Sequence, residues 1–262
     1  MPRFIICFFF VLVSFASASE EVEVLVIPPG NDNTITRQTA MPEMGESRLG
    51  EILDRYFNEG LGGLENWERV ESLYIEGWFQ LEDREVDISV YQKKPDFIKL
   101  TLRQESGVFM VLGYDGEVAW RKQGAQAEPK PMDEDQARRF AHSAKFGNHL
   151  LYPFAHGKTI SYIDTVPVEG AICHQIRVDL DTNFRVDYFI DIRNFREIKV
   201  ENTDLSTGLR NSVVYRDYVV ESGMAVAKRV DSYEEGEWIS TLKVEEIRIN
   251  SGVMPWMFHM PE

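Results

Sequence analysis

From Leu73 to Ile249 apolar and polar residues alternate with a period of two, segment after segment, which predicts a long succession of antiparallel strands. The clearest is Phe184 to Ile192, where Phe184, Val186, Tyr188, Ile190 and Ile192 share one face and Arg185, Asp187, Asp191 and Arg193 lie mostly on the other. Leu73, Ile75, Phe79 and Leu81 alternate up to a turn at Glu82-Asp83-Arg84, and Val86, Ile88 and Val90 repeat the face on the return. Lys94-Pro95-Asp96 makes the next corner, and Ile98, Leu100 and Leu102 continue the face. A strand apolar on both sides, Val108 to Leu112, is turned by Tyr114-Asp115-Gly116 toward Val118 and Trp120. Further strands are predicted at 160–163, 172–180, 184–192, 197–201, 213–220, 225–233 and 238–249. In the last, Leu242 and Val244 are in phase while Ile247 and Ile249 have slipped by one, which places a bulge near Glu245.

Helical spacing interrupts this pattern twice. Leu49, Ile52, Leu53, Tyr56 and Phe57 form one amphipathic stripe, with Ser47 placed to cap it and Gly60 to Gly63 to stop it. A second helical stretch is predicted over 137–151, where Asp133 and Gln136 have capping-box spacing and Gly147 or Pro153 ends it. The Leu150-Leu151-Tyr152-Pro153-Phe154 run is apolar enough to pack inward. The fold class is therefore mainly β: a single strongly curved antiparallel sheet, or unclosed β-barrel, covered by short helices.

The N-terminus divides the chain. An apolar run from Phe4 to Phe15 follows Arg3 and closes on Ala16-Ser17-Ala18. It has the form of an export signal cleaved near Ala18, and it is shorter than the roughly 20 residues of a spanning helix. Residues 1–18 are thus read as a signal, 19–46 as an acidic flexible arm, and 47–262 as one domain. Alternation of Val22, Val24 and Val26 allows the arm one short added strand. Cys7 falls inside the signal, so Cys173 has no partner for an internal disulfide and is expected as a small buried side chain.

Charge narrows the partners. The formal net charge is −15, and no Lys/Arg cluster offers a phosphate-binding stripe, so nucleic acid and anionic lipid surfaces are poor partners. Catalytic spacings are missing as well: there is no G-x-S-x-G elbow, H-E-x-x-H, C-x-x-C or Walker loop. His142, His149 and His156 recur every seven residues, but on one helix they stand about 10 Å apart along the axis, too far to share a metal. Asp187 and Asp191 are about 13 Å apart on an extended strand, beyond the reach of either glycoside-hydrolase geometry. No cofactor is implied.

What remains is apolar surface facing one way. Leu73, Ile75, Phe79, Val86, Ile88, Val90, Ile98, Leu100 and Leu102, with Trp120, Val186, Tyr188 and Ile190, make more inner face than two short helices cover. A bound acyl chain could fill the rest, gaining about 0.8 kcal/mol per buried methylene. Phe140 and Leu151 are the expected lid residues.

The order of short motifs resembles the LolA/LolB-like family of periplasmic carriers that sort outer-membrane lipoproteins. It runs from a leading helix ending in Gly62-Gly63 through Ile75-Glu76-Gly77, Lys94-Pro95-Asp96-Phe97-Ile98-Lys99, Tyr114-Asp115-Gly116 and Trp120. Tyr188-Phe189-Ile190-Asp191, Tyr215-Arg216-Asp217-Tyr218 with Gly223, and a closing Phe258 to Pro261 follow. The family's proline after that last glycine is replaced here by Met224-Ala225-Val226. The resemblance implies an unclosed barrel with a helical lid over an apolar cavity, periplasmic and monomeric, binding lipid or lipoprotein acyl chains and meeting a membrane-bound donor or acceptor protein. Two other classes stay open. One is an interaction module with a closed core, docking through its acidic surface or the Met254-Pro255-Trp256-Met257-Phe258 tail; the other is a hydrolase whose polar groups converge only in space.

Overall fold

The computed structural model describes residues 24–27, by their backbone, and 47–82, 84–105, 107–151 and 157–261. The signal segment, most of the acidic arm, Tyr152-Pro153-Phe154 and His156 lie outside the described residues.

The alternating segments become strands β1 (Val24–Ile27), β2 (Ser72–Gln80), β3 (Glu85–Lys93), β4 (Phe97–Gln104), β5 (Gly107–Tyr114), β6 (Ala119–Gln123) and β7 (Lys130–Pro131). After a helix come β8 (Lys158–Val168), β9 (Ala171–Leu180), β10 (Phe184–Asp191), β11 (Glu197–Asp204), β12 (Arg210–Glu221), β13 (Met224–Glu234) and β14 (Glu237–Ile249). All fourteen form one antiparallel sheet in the order β1-β8-β9-β10-β11-β12-β13-β14-β2-β3-β4-β5-β6-β7. Two meanders are therefore joined where the last strand pairs with the first long one, Leu242 opposite Phe79 and Ile249 opposite Leu73. The short strand of the arm pairs with β8, Val24 opposite Ser161, and β7 lies in what reads as a proline-containing loop.

The bulge expected near Glu245 is present as a register shift between Val244 and Glu246. Gly77 faces it, and a Cβ there would lie 2.0 Å from the Lys243 carbonyl oxygen, so only glycine lets β2 come this close where the sheet bends.

The first helix, α1 (Arg48–Arg55), begins where expected, with the Ser47 hydroxyl accepting from the Gly50 N–H at 3.0 Å, and runs on as a π-helical turn, Tyr56–Gly60. Leu49, Ile52, Leu53, Tyr56 and Phe57 are all buried against Ile160, Ile176, Val178, Val186 and Ile190, which closes one half of the concave face. A short helix, α2 (Leu64–Glu68), follows.

The lid helix, α3 (Glu134–Ser143), starts at the expected cap, the Asp133 carboxylate accepting from the Gln136 N–H at 2.9 Å. It ends well before Leu151, which corrects the sequence expectation. The residues beyond it are drawn to three places: Ala144 to Ile88 and Ile98, Phe146 to Val70 and Met224, Leu150 and Leu151 to the α1 core. One helical stripe cannot face three separated clusters, and the irregular chain can. Asn148 Oδ1 accepts from the Leu150 and Leu151 N–H groups at 2.8 and 2.5 Å, replacing the lost helical bonds.

Three further expectations are corrected. Ile192 lies past the end of β10 and is exposed. Asp187 is buried, not solvated, and its partners are Arg177 at 2.9 Å and Gln175 at 2.9 Å, while Arg185 pairs with Asp179 at 2.7 Å. His142 and His149 do meet, their rings stacked at 4.5 Å, because the helix ends between them and the chain turns back. Cys173 is buried, as expected.

Candidate functional site

On the half of the concave face not filled by α1, the sheet is thinly covered, and a cavity of about 240 Å³ opens there. Its wall comes from β12, β13, β14 and β2, including Ile75, Val230, Leu242, Val244 and Ile247, and its roof from Leu61, Trp67, Gly147, Asn148 and Leu151. A second, more open groove of about 330 Å³ runs beneath α3 between Met110, Leu112, Met132 and Phe140, with Arg121 and Arg139 on its sides.

The roof is held by the glycine stop of α1. Gly62 has φ 89°, and a Cβ there would stand 2.1 Å from the Gly223 carbonyl oxygen. Backbone contact at that point lets the Ala225 N–H donate to the Leu61 oxygen at 3.0 Å, and the Trp67 indole N–H donates to the same oxygen at 3.2 Å. The helix end is thus fastened to the β12–β13 hairpin, and Gly62-Gly63 and the Tyr215 to Gly223 motif, far apart in sequence, meet at the cavity.

One polar cluster interrupts the apolar wall. Glu197 is 7% exposed, and its Oε1 accepts from the Tyr56 hydroxyl and from Asn148 Nδ2, the latter at 2.7 Å. Tyr215 and Tyr218 line the same wall, and the Tyr218 hydroxyl donates to the Glu197 carbonyl oxygen at 2.9 Å. Burial pushes the Glu197 carboxyl up to about 7, with the Tyr56 hydrogen bond opposing. Burial and the nearby carboxyl raise the tyrosines in turn, so they stay protonated. His149, close by, is held well below the ordinary imidazole range by burial and by His142.

The residues singled out in the sequence divide among several places. Leu73, Ile75 and Leu151 line the cavity, and Phe140 lines the groove under α3. Phe79, Leu100 and Leu102 are half-buried beside Ile88, Val90 and Ile98, which are buried in the same cluster under α3. Val86 is buried on the same strand face as Ile88. Val186, Tyr188 and Ile190 are sealed beneath α1, where the Tyr188 hydroxyl accepts from the His149 N–H at 2.9 Å. Trp120 does not belong to the inner set. It is on the convex face, in register with Gly113 and Lys99, and its indole N–H donates at 2.8 Å to the carbonyl of Phe258, whose ring packs 5.5 Å from Phe97. An apolar residue next to a strand that is apolar on both sides does not show in sequence which face it takes.

Leu61, Trp67, Asn148, Glu197, Tyr215, Tyr218 and Met224 are cavity residues that the apolar pattern does not single out. Simple alternation pairs Glu197 with Lys199 on the convex side. Phe189 opposes Lys199 while Ile190 opposes Glu197, so Ile198 is the extra residue of a bulge and Glu197 turns inward. Asp217, left-handed at φ 55°, breaks the regular alternation between Tyr215 and Tyr218, which both line the cavity. The one signal in the sequence is the Tyr-Arg-Asp-Tyr motif itself.

No protein-family model matches the chain, and no curated protein matches it in sequence. Solved structures do match. A domain from Vibrio parahaemolyticus, described as from an outer membrane lipoprotein-sorting protein, superposes with a TM-score of 0.52 at 12% identity, covering 79% of this chain and 94% of that one. A LolA superfamily protein from Nitrosomonas europaea gives 0.53 at 11% identity, covering 80% and 96%. The fold is LolA-like. A DUF1329 family protein from Desulfovibrio piger shares it, with a TM-score of 0.58 at 9% identity over 80% and 96% of the two chains. The LolA-like fold is a curved, unclosed sheet with short helices on its concave side, as the motif order implied. Among the described residues no helix is long and apolar enough to cross a membrane, and no three His, Cys, Asp or Glu side chains are grouped to hold a metal.

Proposed function

We propose that this chain is a periplasmic carrier or sensor that takes a lipid, or the acyl chains of a lipoprotein, into the cavity between sheet and helices without covalent chemistry. The observation that carries the reading is the cavity of about 240 Å³, its wall largely apolar, between the sheet and the roof of Leu61, Trp67 and Leu151. It exceeds the roughly 150 Å³ of engineered apolar cavities that take up benzene. The LolA-like fold supports the same reading, and a membrane-bound donor or acceptor protein is the partner it implies.

The test is purification without detergent, followed by solvent extraction and mass spectrometry of the extract, with uptake of the neutral dye Nile red by delipidated protein as the second arm. A co-purified lipid or saturable dye uptake is expected; neither one appearing rejects the carrier. A closed-core interaction module is the second reading, favoured by Trp256, which stays 68% exposed although Phe258 beside it is buried. Partner capture that needs Trp256, together with an empty cavity, would select it. For the hydrolase reading, the cavity wall holds two carboxyl groups, Glu197 and Glu221, and among the described residues no Ser, Thr, Cys, His or Lys.

A further inference from the structure

Resting on the carrier reading, we infer that the cavity takes an acyl chain ending in a neutral hydrogen-bond donor, a hydroxyl or amide N–H, anchored by Glu197, and rejects chains ending in an anion. Glu197 is more than nine-tenths buried, lines the cavity, and is met there by no cation among the described residues. Among the described residues, both donors that reach its side chain, the Tyr56 hydroxyl and Asn148 Nδ2, converge on Oε1. Oε2 accepts from no described residue and is not sealed off, so on the cavity lining it is open to a donor from a ligand.

Among the described residues no neighbouring hydroxyl except that of Tyr56 donates to the Glu197 side chain, although Tyr215 lines the same wall. Tyr218 donates to the Glu197 carbonyl, and Tyr188 receives the His149 N–H. A donor on the ligand's head would complete the carboxyl's hydrogen bonding and leave the chain on the apolar wall. An anionic head would instead meet two carboxyl groups, Glu197 and Glu221, with no Lys, Arg or His among the described lining residues to offset them. Glu197 is buried and Glu221 partly so, and water screens that repulsion less than it does at an exposed site. The groove under α3 has the opposite character, with Arg121 and Arg139. Any test of head-group preference must therefore report on the cavity alone, and Trp67 in the cavity roof allows this.

Bromine quenches tryptophan on contact, so the probes are 11-bromoundecanoate and its 1-monoglyceride, titrated at pH 8 into delipidated protein. The cavity signal is the quenching present in the wild type and absent in Trp67→Phe. The monoglyceride is expected to half-saturate this signal at a concentration at least tenfold below that of the acid, and Glu197→Gln to narrow the gap to about threefold. Acid binding as tightly as the monoglyceride overturns the inference and leaves the carrier reading standing. An unchanged preference in Glu197→Gln overturns the assignment to Glu197. Failure of both probes and of Nile red to bind overturns the carrier reading and the inference with it.

Discussion

Glu197 is a carboxyl group held inside an apolar wall, and its protonation couples to folding. Its carboxyl titrates near 7 in the folded chain against 4.5 when free, so between those values the folded chain keeps a proton that the unfolded chain has released. Raising the pH through that window lowers stability, by about 3 kcal/mol when complete. The groups facing it, Tyr56, Tyr188, Tyr215 and Tyr218, remain neutral there, and Asn148 carries no charge. Glu197→Gln is therefore expected to match the wild type near pH 4.5 and to melt higher at pH 8. Thermal melts of both proteins at several pH values check this, and a gap that does not widen with pH counts against it. His149 acts at the acid end with the opposite sign. Its imidazole is depressed below 6.5, so the unfolded chain takes up the proton first and stability falls as the pH drops below 6.5. That loss is common to both proteins and cancels in the comparison. Gly62 has almost no freedom to accept a side chain. With φ 89° and the Gly223 oxygen 2.1 Å from the point a Cβ would occupy, Gly62→Ala is expected to cost about 2–4 kcal/mol, read by urea denaturation.

The lid α3 buries none of its own residues fully, so its position depends on polar fasteners. Arg138 donates to Asp204 at 2.6 Å and lies 4.8 Å from the centre of the Phe184 ring, and His142 bonds Asn202 at 2.9 Å. Asp204 is 3% exposed, and Arg138 together with the Ser206 N–H draws its carboxyl below the usual range against the pull of burial. Asp204→Asn is expected to loosen the helix by about 1–2 kcal/mol, the arginine being partly exposed, and to speed amide exchange over Glu134–Ser143 while leaving β9 and β10 unchanged. Equal exchange in both proteins would show that the helix is held by its apolar contacts instead. Strand existence was readable here because each long strand of the meanders packs one face, and the starts of α1 and α3 were readable because caps are local. The end of α3 was not, since it is set by three clusters that only the folded sheet assembles.

For the molecule as a whole, the decisive pairing is β14 with β2, which brings Leu242, Val244 and Ile247 beside Ile75 to make the cavity wall. Filling that space separates stability from binding. Val230→Phe and Ile247→Phe are expected to keep or raise the melting temperature while reducing Nile red uptake at least tenfold. Undiminished uptake would place the ligand elsewhere, with the groove under α3 the next site to examine. The family resemblance was legible as an order of motifs, and its physical meaning emerges in space. Gly62 and Gly223 meet at the cavity roof and Tyr215 lines the wall, whereas Phe97, Trp120 and Phe258 form a separate knot on the convex side.

Period-two alternation and local caps are short-range signals, so the sequence by itself determined the long strands, the starts of α1 and α3, the bulge near Glu245 and the curved, mainly β fold, but not α2 or β7. It also determined that apolar residues such as Ile75, Ile88 and Val186 share the concave face. Only the tertiary structure decided which part of that face is sealed and which is hollow, because that depends on where α1 and α3 come to rest. Only it turned Glu197 inward, because one extra residue in a strand reverses every face beyond it.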